Sequence, residues 1–458
     1  MRLWPPGQSI AIAALGTFGI PLPRAAQAVN FFGFTVGFVI VLWILFRFCP
    51  RALAATFAVA AACTYSVSRY ATFGLSEGGY VAFSLASLVL LVLGEQATAK
   101  RSYGLLFLTG ALVGCAILFR YVGLSLLAAE GLYLLVRSVK TRNIYKLCAF
   151  AAGTLLTGGW FFLYNVWTFS QIVPYQMPPS SVGIGENLYH LGLAMSSVFL
   201  PLRYSAFNYW PALVLFASGA YVLFLLMLRP KECHPLDCQA GRESGLIHLA
   251  WLMALYVIVY FTQVVAARAR YEWGEIINTR HVVPVAWPMM IVMSALLAHL
   301  MRNCSKSRFL LAFLSSALTL WALQLALHSA RALVPLRQVG QEIEIIRCAQ
   351  AISQEPAAKG TVLADGPSRI YLTLFGNVTA KYAPRLSRRE HPVDWQEVAT
   401  AIQSRRISAI VVSTLAREDV LTGNYGPVFQ EILERRVPDA RWQLKDYGYF
   451  RLCTLRSK

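Results

Sequence analysis

Long apolar stretches alternate with short polar segments over roughly the first 330 residues of the chain. A helix needs roughly 20 apolar residues to cross the ~30 Å hydrocarbon core of a bilayer. The pattern therefore predicts an α-helical, polytopic integral membrane bundle. Ten stretches are close to the required length: 27–48, 52–70, 78–94, 104–119, 122–136, 147–169, 209–228, 245–266, 282–300 and 309–328.

The loops between these stretches alternate in their content of Lys and Arg. Five loops on one side hold 14 such residues, whereas the segments on the other side before residue 330 hold eight over a greater length. Because cytoplasmic loops carry the excess of positive charge, we expect the first set to be cytoplasmic and both termini to lie outside. If the shortest stretch, 122–136, does not cross the membrane, the chain has an odd number of spans.

The flanking segments have a different pattern. Residues 7–22 form a small-residue apolar segment, which we interpret as a helix lying on the outer membrane surface. This helix belongs to the first of three predicted regions, residues 1–24. Residues 25–330 are the membrane part. Residues 331–458 are predicted to form a small outer α/β domain. Its expected strands are 361–364, 378–382, 407–413 and a hairpin over 442–455, and its expected helices are 368–375, 393–405 and 425–435.

Composition narrows the class of protein. The chain is 57% hydrophobic and 14% charged, against about 25% charged for a soluble domain. The net charge of +19 does not indicate a nucleic-acid partner, because much of it lies in short loops where it determines topology. Of the nine cysteines, only Cys348 and Cys453 are predicted to face outward, so they are the candidate disulfide pair. Cys233, His234 and Cys238 supply too few ligands for a zinc site.

Two charged positions stand out near the spans. Glu130 falls in the middle of 122–136, where a charge is expensive, so it is either functional or paired with a neighbouring hydroxyl or amide inside the bundle. Arg120 and Tyr121 lie at the outer junction between two spans. Arg120 either reaches to the interface or binds a phosphate, because a guanidinium makes paired hydrogen bonds to phosphate oxygens.

Further candidates lie on the same outer side. Glu77 begins a span shortly after Arg69, Arg203 and Tyr204 follow a long loop, and a second loop brings Glu272, Glu275, Asn278, Arg280 and His281. An arginine-rich site opening to the bilayer suits an anionic lipid headgroup. A solute channel would instead need polar residues distributed along several spans.

Several local patterns resemble those of GT-C membrane glycosyltransferases. Trp4-Pro5-Pro6 before a small-residue helix is similar to their PPLYP segment, and Ser76-Glu77 is similar to their SE/TE helix start. The segment 110–123 resembles their GxxxGxAxLxRYxG segment. Three later segments, Tyr164-Asn165, 278–284 and 364–367, are similar to motifs that follow in the same order in that family. The ordered set resembles the dolichyl-phosphate-mannose mannosyltransferase, aminoarabinose transferase and RgtA/B/C/D-like group.

The resemblance implies transfer of a sugar from a polyprenyl-phosphate donor to a glycan, lipid or protein acceptor, at the outer face of the cytoplasmic (inner) membrane. It implies that Arg120, Arg280 and Arg203 bind the donor phosphate. Tyr121 and His281, which adjoin two of these arginines, and Glu130, which is a charge within a predicted span, are further site candidates. The resemblance does not determine whether a divalent metal is used, and it implies no other cofactor.

One departure concerns the catalytic base. In the family, a first span and an acidic motif precede the PPLYP segment, whereas here three residues precede Trp4 and no carboxylate occurs before Glu77. Either the true start lies upstream or the usual base is absent, with Glu77, Glu272 or Glu275 as substitutes. A lipid-linked-sugar or solute transporter, and a non-catalytic degenerate paralogue, are the alternative readings of the sequence.

Overall fold

The structure is a computed structural model of the chain, and it describes residues 5–71, 76–171, 179–180, 182–199, 238–271, 277–303, 308–333, 336–376, 378–382, 394–404, 406–416 and 427–455. The chain divides into two compact units, Met1–Leu333 and Val334–Lys458.

The first unit is helical throughout its described residues. Its helices in chain order are α1 Gly7–Thr17, α2 Leu22–Phe48, α3 Arg51–Ala62, α4 Tyr65–Ala71, α5 Glu77–Gln96, α6 Ala99–Phe119, α7 Gly123–Thr141, α8 Tyr145–Thr154, α9 Trp160–Phe169, α10 Ile184–Phe199, α11 Cys238–Arg270, α12 Thr279–Asn303 and α13 Arg308–Leu333. A single π-helical turn, Leu155–Gly159, joins α8 to α9, and the residues that flank it have right-handed helical dihedral angles.

Six described helical segments are long and apolar enough to cross a membrane, and the chain is a multi-pass membrane protein with a small C-terminal sheet. The segments are Leu22–Phe48, Glu77–Gln96, Lys100–Phe119, Tyr145–Phe169, Leu246–Arg270 and Thr279–Met301. Each coincides with a predicted span. The span predicted over 209–228 lies outside the described residues.

The stretch predicted as one span over 52–70 is instead two helices. The chain leaves α3 at Cys63 and enters α4 at Tyr65. At the break, the Thr64 hydroxyl donates to the carbonyl of Ala60 over 2.8 Å. Thr35 and Thr56 make the same bond inside unbroken helices, so this bond accompanies the break without explaining it.

Small residues let neighbouring helices approach closely in the first unit. On α6, an added Cβ at Gly110 would lie 1.9 Å from Phe150 O, and one at Gly114 would lie 1.9 Å from Thr157 Oγ1. The Thr157 hydroxyl donates across the interface to Ala111 O over 2.9 Å. Membrane helices associate through such close packing because lipid provides no hydrophobic driving force between them.

The second unit is an α/β domain. It contains α14 Leu336–Ser353, β1 Val362–Ala364, α15 Gly366–Phe375, β2 Ala380–Tyr382, α16 Trp395–Gln403, β3 Ala409–Ser413, α17 Pro427–Leu433, β4 Trp442–Asp446 and β5 Phe450–Leu455. The strand order is β2-β1-β3-β5-β4. Strands β1, β2 and β3 are parallel, whereas β5 runs antiparallel to both β3 and β4.

The hairpin predicted over 442–455 is confirmed, and Gly448 turns it with φ of +75°. The predicted disulfide is wrong, because Cys348 and Cys453 are both free. Cys453 packs with Ile410 and Val412 on one face of the sheet. Cys348 packs with the cluster of Ala409 and Val411 on the other face.

Candidate functional site: a carboxylate shared by two arginines

Glu77 is the first residue of α5, and its position is fixed by close packing against α2. An added Cβ at Gly78 would lie 2.0 Å from Asn30 O, so only glycine allows the two backbones to approach this closely. The Gly78 amide donates to Asn30 Oδ1 over 2.7 Å. Asn30 Nδ2 in turn donates to Tyr70 O at the end of α4 over 2.7 Å. One buried amide side chain of α2 therefore binds both the end of α4 and the start of α5 beside Glu77.

Glu77 is fully buried and binds two arginines through the same oxygen. Arg280 Nε donates to Oε1 over 2.6 Å, and Arg120 Nη1 donates to the same atom. The side chains of Arg120 and Arg280 are 14% and 27% exposed, whereas that of Glu77 is not exposed at all. Oε2 of Glu77 has no hydrogen-bond partner among the described residues. The two cations therefore share one carboxylate, which leaves a net charge of +1.

The two arginines come from helix ends far apart in the chain. Arg120 directly follows α6, whose last residue, Phe119, lies against Gly79. An added Cβ at Gly79 would be 2.2 Å from the Phe119 ring. Arg280 is the second residue of α12, and its amide donates to Asn278 Oδ1 over 3.0 Å. The adjacent Thr279 hydroxyl lies 3.3 Å from that of Tyr70, which connects α12 to α4.

His281 is buried beside the same ion pairs and interacts electrostatically with Arg120, Arg280 and Glu77. The backbone N–H of Asn278 donates to His281 Nδ1 over 3.3 Å. Asn278 Oδ1 lies 3.2 Å from the same nitrogen, so Asn278 orients the ring of His281 through two contacts. The sequence-predicted residues Glu77, Arg120, Arg280 and His281 are thus brought together.

A group of buried tyrosines that was not predicted from the sequence lies beside the ion pairs of Glu77. Tyr260 interacts electrostatically with Arg120, Glu77 and Arg280. The hydroxyls of Tyr80 and Tyr256 are 2.6 Å apart, and all three tyrosines are fully buried. One signal was available: Glu77, Tyr80, Ser84 and Ser87 recur at spacings of three and four, which places polar groups on one face of α5.

Tyr121 lies at the edge of the site. Its ring packs on Phe161 with centroids 5.8 Å apart, and its hydroxyl interacts with the buried side chain of Asn165. Two further segments singled out in the sequence, 120–123 and 164–165, therefore meet at this edge.

Other candidates lie apart from this group or outside the described residues. Glu130 is fully buried in α7 and contacts Ser87 rather than the arginines. Asp365, in the second unit, accepts hydrogen bonds from the amide and hydroxyl of Ser368, each over 2.8 Å, so it caps α15. Burial raises the pKa of Asp365 against the effect of these bonds. Arg203, Tyr204, Glu272 and Glu275 lie outside the described residues.

The arrangement is suited to binding an anion. Two guanidinium groups are held in place before any ligand arrives, and together with Glu77 they carry a net charge of +1, which matches a singly charged phosphodiester. Preorganised cations of this kind stabilise negative charge that develops on a leaving group. The described residues contain no group of three or more His, Cys, Asp or Glu side chains that could hold a metal ion.

Comparison with known proteins gives a likeness of fold. No family model matches the sequence, and neither does any curated protein. The solved structure of ArnT from Cupriavidus metallidurans bound to undecaprenyl phosphate matches with a TM-score of 0.51 and 15% identity, covering 99% of this chain and 88% of that one. The apo structure of the same protein gives a TM-score of 0.47 and 13% identity, with the same coverage. The chain therefore has an ArnT-like, GT-C fold.

Proposed function

We propose that this protein transfers a sugar from a polyprenyl-phosphate donor to an acceptor at the outer face of the cytoplasmic membrane, with the C-terminal unit on the same side. The convergence of Arg120 and Arg280 on buried Glu77 carries the proposal. The GT-C fold supports it, as does the undecaprenyl phosphate bound to the ArnT structure of similar fold.

In the proposed reaction, Arg120 and Arg280 bind the phosphate of the donor. Their pairing with Glu77 holds both guanidinium groups at one point, so little reorganisation is needed on binding. As the bond from the sugar to the phosphate oxygen breaks, the electron pair stays on the phosphate, and the arginines stabilise the added charge. The acceptor hydroxyl forms the new bond to the sugar and loses its proton to a base.

Glu77 does not suit the role of that base. Its Oε1 already accepts from two arginines, and nearby cations make a carboxylate a weaker proton acceptor. We assign Glu77 to positioning the arginines. Glu272 and Glu275 remain candidates for the base.

A non-catalytic, lipid-phosphate-binding paralogue is the second candidate. The engagement of Glu77 by both arginines favours it, because the carboxylate that the site does hold is occupied. Binding of the lipid without transfer is the outcome that would support this alternative.

The test is binding of undecaprenyl phosphate to the purified full chain in nanodiscs, followed by a transfer assay with polyprenyl-linked sugars. We expect saturable binding that falls at least about tenfold in Arg120→Gln or Arg280→Gln, since loss of one charge-assisted bond costs about 1.5–3 kcal/mol. Arg137→Gln is the matched control, because Arg137 pairs with Glu95 elsewhere on α5. Equal binding by all three variants would contradict the proposal.

A further inference from the structure

Glu130 differs from the other buried carboxylates of the bundle because no cation accompanies it. Its side chain is fully buried, and Ser87 Oγ lies 2.8 Å from Oε1. Oε2 has no hydrogen-bond partner among the described residues. Within the described part of the chain, burial and the Ser87 hydroxyl are the features that determine whether this carboxyl is charged. A lone carboxylate in such surroundings is very costly, and the uncharged acid is the form that burial favours.

The hydrogen bonds of Ser87 point to the same protonation state. Ser87 Oγ lies 2.8 Å from Glu130 Oε1 and 2.9 Å from the carbonyl oxygen of Ser84. A serine hydroxyl has one proton to donate. If Glu130 is ionised, both neighbours are acceptors and only one bond forms. If Glu130 is an acid, it donates to Ser87 Oγ while Ser87 donates to Ser84, so both bonds form.

The elements packed around Glu130 supply no charge that changes this conclusion. Helix α7 contacts α5, α6, α8 and α11. The titratable groups on these five helices with a described position are Glu77, Tyr80 and Glu95 on α5; Lys100, Arg101, Tyr103 and Cys115 on α6; Tyr133, Arg137 and Lys140 on α7; Tyr145, Lys146 and Cys148 on α8; and His248, Tyr256, Tyr260, Arg268 and Arg270 on α11. None of these described groups forms an ion pair with Glu130. The closest cation along α7, Arg137, is bound to Glu95 over 3.1 Å.

The geometry points to a proton-binding site: we infer that Glu130 holds a proton in the folded protein at neutral pH and uses it to link α7 to α5 through Ser87. Ser87 is ten residues from Glu77 in α5, or about 15 Å along the helix, so the proton lies deep in the bundle. The same two helices position the outer site, because α5 begins with Glu77 and α7 begins directly after the Arg120 loop.

Loss of this proton is therefore expected to disturb the arginine site. As pH rises and Glu130 ionises, its hydrogen bond to Ser87 loses the donor, and the buried charge attracts water into the contact between α5 and α7. Because the folded protein holds this proton at a pH where an unfolded glutamate has lost it, the stabilisation is fully present below the ordinary pKa of glutamate and declines as pH rises, until Glu130 ionises in the folded protein. This consequence for ligand binding rests on the proposed function, whereas the proton-binding site does not.

The direct test is infrared spectroscopy of the full chain in lipid bilayers. We expect the C=O stretching band of a protonated carboxylic acid at neutral pH in the wild-type protein and in Glu95→Gln. Glu95 is the matched control, because it pairs with two cations, Arg137 and Lys146. The band should be missing from Glu130→Gln. Absence of the band in the wild type, or its persistence in Glu130→Gln, would overturn the inference.

A second measurement tests the link to the outer site. Binding of undecaprenyl phosphate should weaken by up to about tenfold per pH unit once Glu130 ionises, and Glu130→Gln, whose amide is uncharged and can donate to Ser87, should remove that dependence. An unchanged alkaline dependence in Glu130→Gln would refute the link. If the lipid fails to bind at any pH, the proposed function fails, while the infrared result still decides the protonation of Glu130.

Discussion

Two carboxylates are buried completely in the same helical bundle, and their surroundings are opposite in character. Glu77 receives hydrogen bonds from two arginines at one end of α5, whereas Glu130 contacts a single serine nearly three turns deeper. A buried charge is tolerated when it is paired, and an unpaired acid is tolerated when it stays neutral. Burial alone therefore does not identify a charged site, and the partner determines what the carboxyl can do.

The strongest way to break this comparison is to remove one arginine from Glu77. We expect Arg120→Met to lower the free energy of unfolding by about 1.5–3 kcal/mol, because it removes one charge-assisted hydrogen bond from a buried carboxylate that keeps its bond to Arg280. Thermal unfolding of the purified protein in a fixed detergent measures the change. Adding Glu77→Gln to Arg120→Met should lower the stability further, because Arg280 then loses its counter-charge. A double variant as stable as Arg120→Met would show that the charge of Glu77 is not the cause.

The placement of Glu77 can be tested without touching any charge. Gly78→Ala forces a methyl group against Asn30 O, and overpacking of this kind costs about 1–3 kcal/mol. Gly104→Ala on α6 is the control, because an added Cβ there meets nothing within 4 Å. We expect lower stability and weaker phosphate binding for Gly78→Ala alone. Similar effects from both substitutions would point to a general sensitivity of the helices.

The same substitution at the two carboxylates sharpens the comparison most directly. Glu77→Gln should cost about 2 kcal/mol, because both arginines keep a hydrogen-bond acceptor but lose the negative charge that they share. Glu130→Gln should raise the free energy of unfolding at neutral pH, because the wild-type side chain has to take up a proton on folding and the amide does not. Equal costs at the two positions would mean that Glu130 is charged in the folded state.

The smallest effect on stability is expected at a solvent-exposed carboxylate, Glu355. In the second unit, Lys445 Nζ donates to Glu355 over 2.8 Å, and the Tyr447 hydroxyl donates to the other oxygen. These bonds lower the pKa of Glu355, so the stability they provide is present above its ordinary pKa and is lost as pH falls below it. With solvent screening, we expect Glu355→Gln to cost less than about 0.5 kcal/mol at neutral pH.

Hydrogen exchange of β4 and β5 in the full chain, corrected for the intrinsic effect of pH, is the measurement for Glu355. The difference between wild type and Glu355→Gln should shrink as the solution is acidified. A difference that grows on acidification would contradict the assigned direction of the shift.

The sequence predicted the membrane helices well because their signal is local. A run of apolar residues such as 27–48 needs no distant partner to be recognised, and the β-branched run at 407–413 likewise indicated a buried strand. Helix α14 was not predicted, because it lies between the last apolar span and the first strand signal and has a mixed polar composition. The break between α3 and α4 was also missed, because the apolar stretch 52–70 continues through it in the sequence.

The site was predicted only in part, because its residues meet through tertiary packing. Glu77, Arg120 and Arg280 were each recognised as outer charged residues, but Glu77 and Arg280 are separated by 203 positions, and no local pattern shows that they meet. The tyrosines were overlooked because aromatic residues in an apolar helix resemble ordinary core. For Glu130, a paired hydroxyl was one of the two readings of the sequence, and Ser87 is that hydroxyl.

Helix α5 is fastened at both ends, which gives it a fixed length between anchors. Glu77 is bound to arginines at one end, and Glu95 binds Arg137 and Lys146 at the other. The two carboxylates are 18 residues apart, about 27 Å along the helix. Most membrane helices adapt to a thicker or thinner bilayer by tilting or sliding. A helix held at both ends has less freedom to do so, and the arginine site should therefore respond to the acyl-chain length of the surrounding lipid.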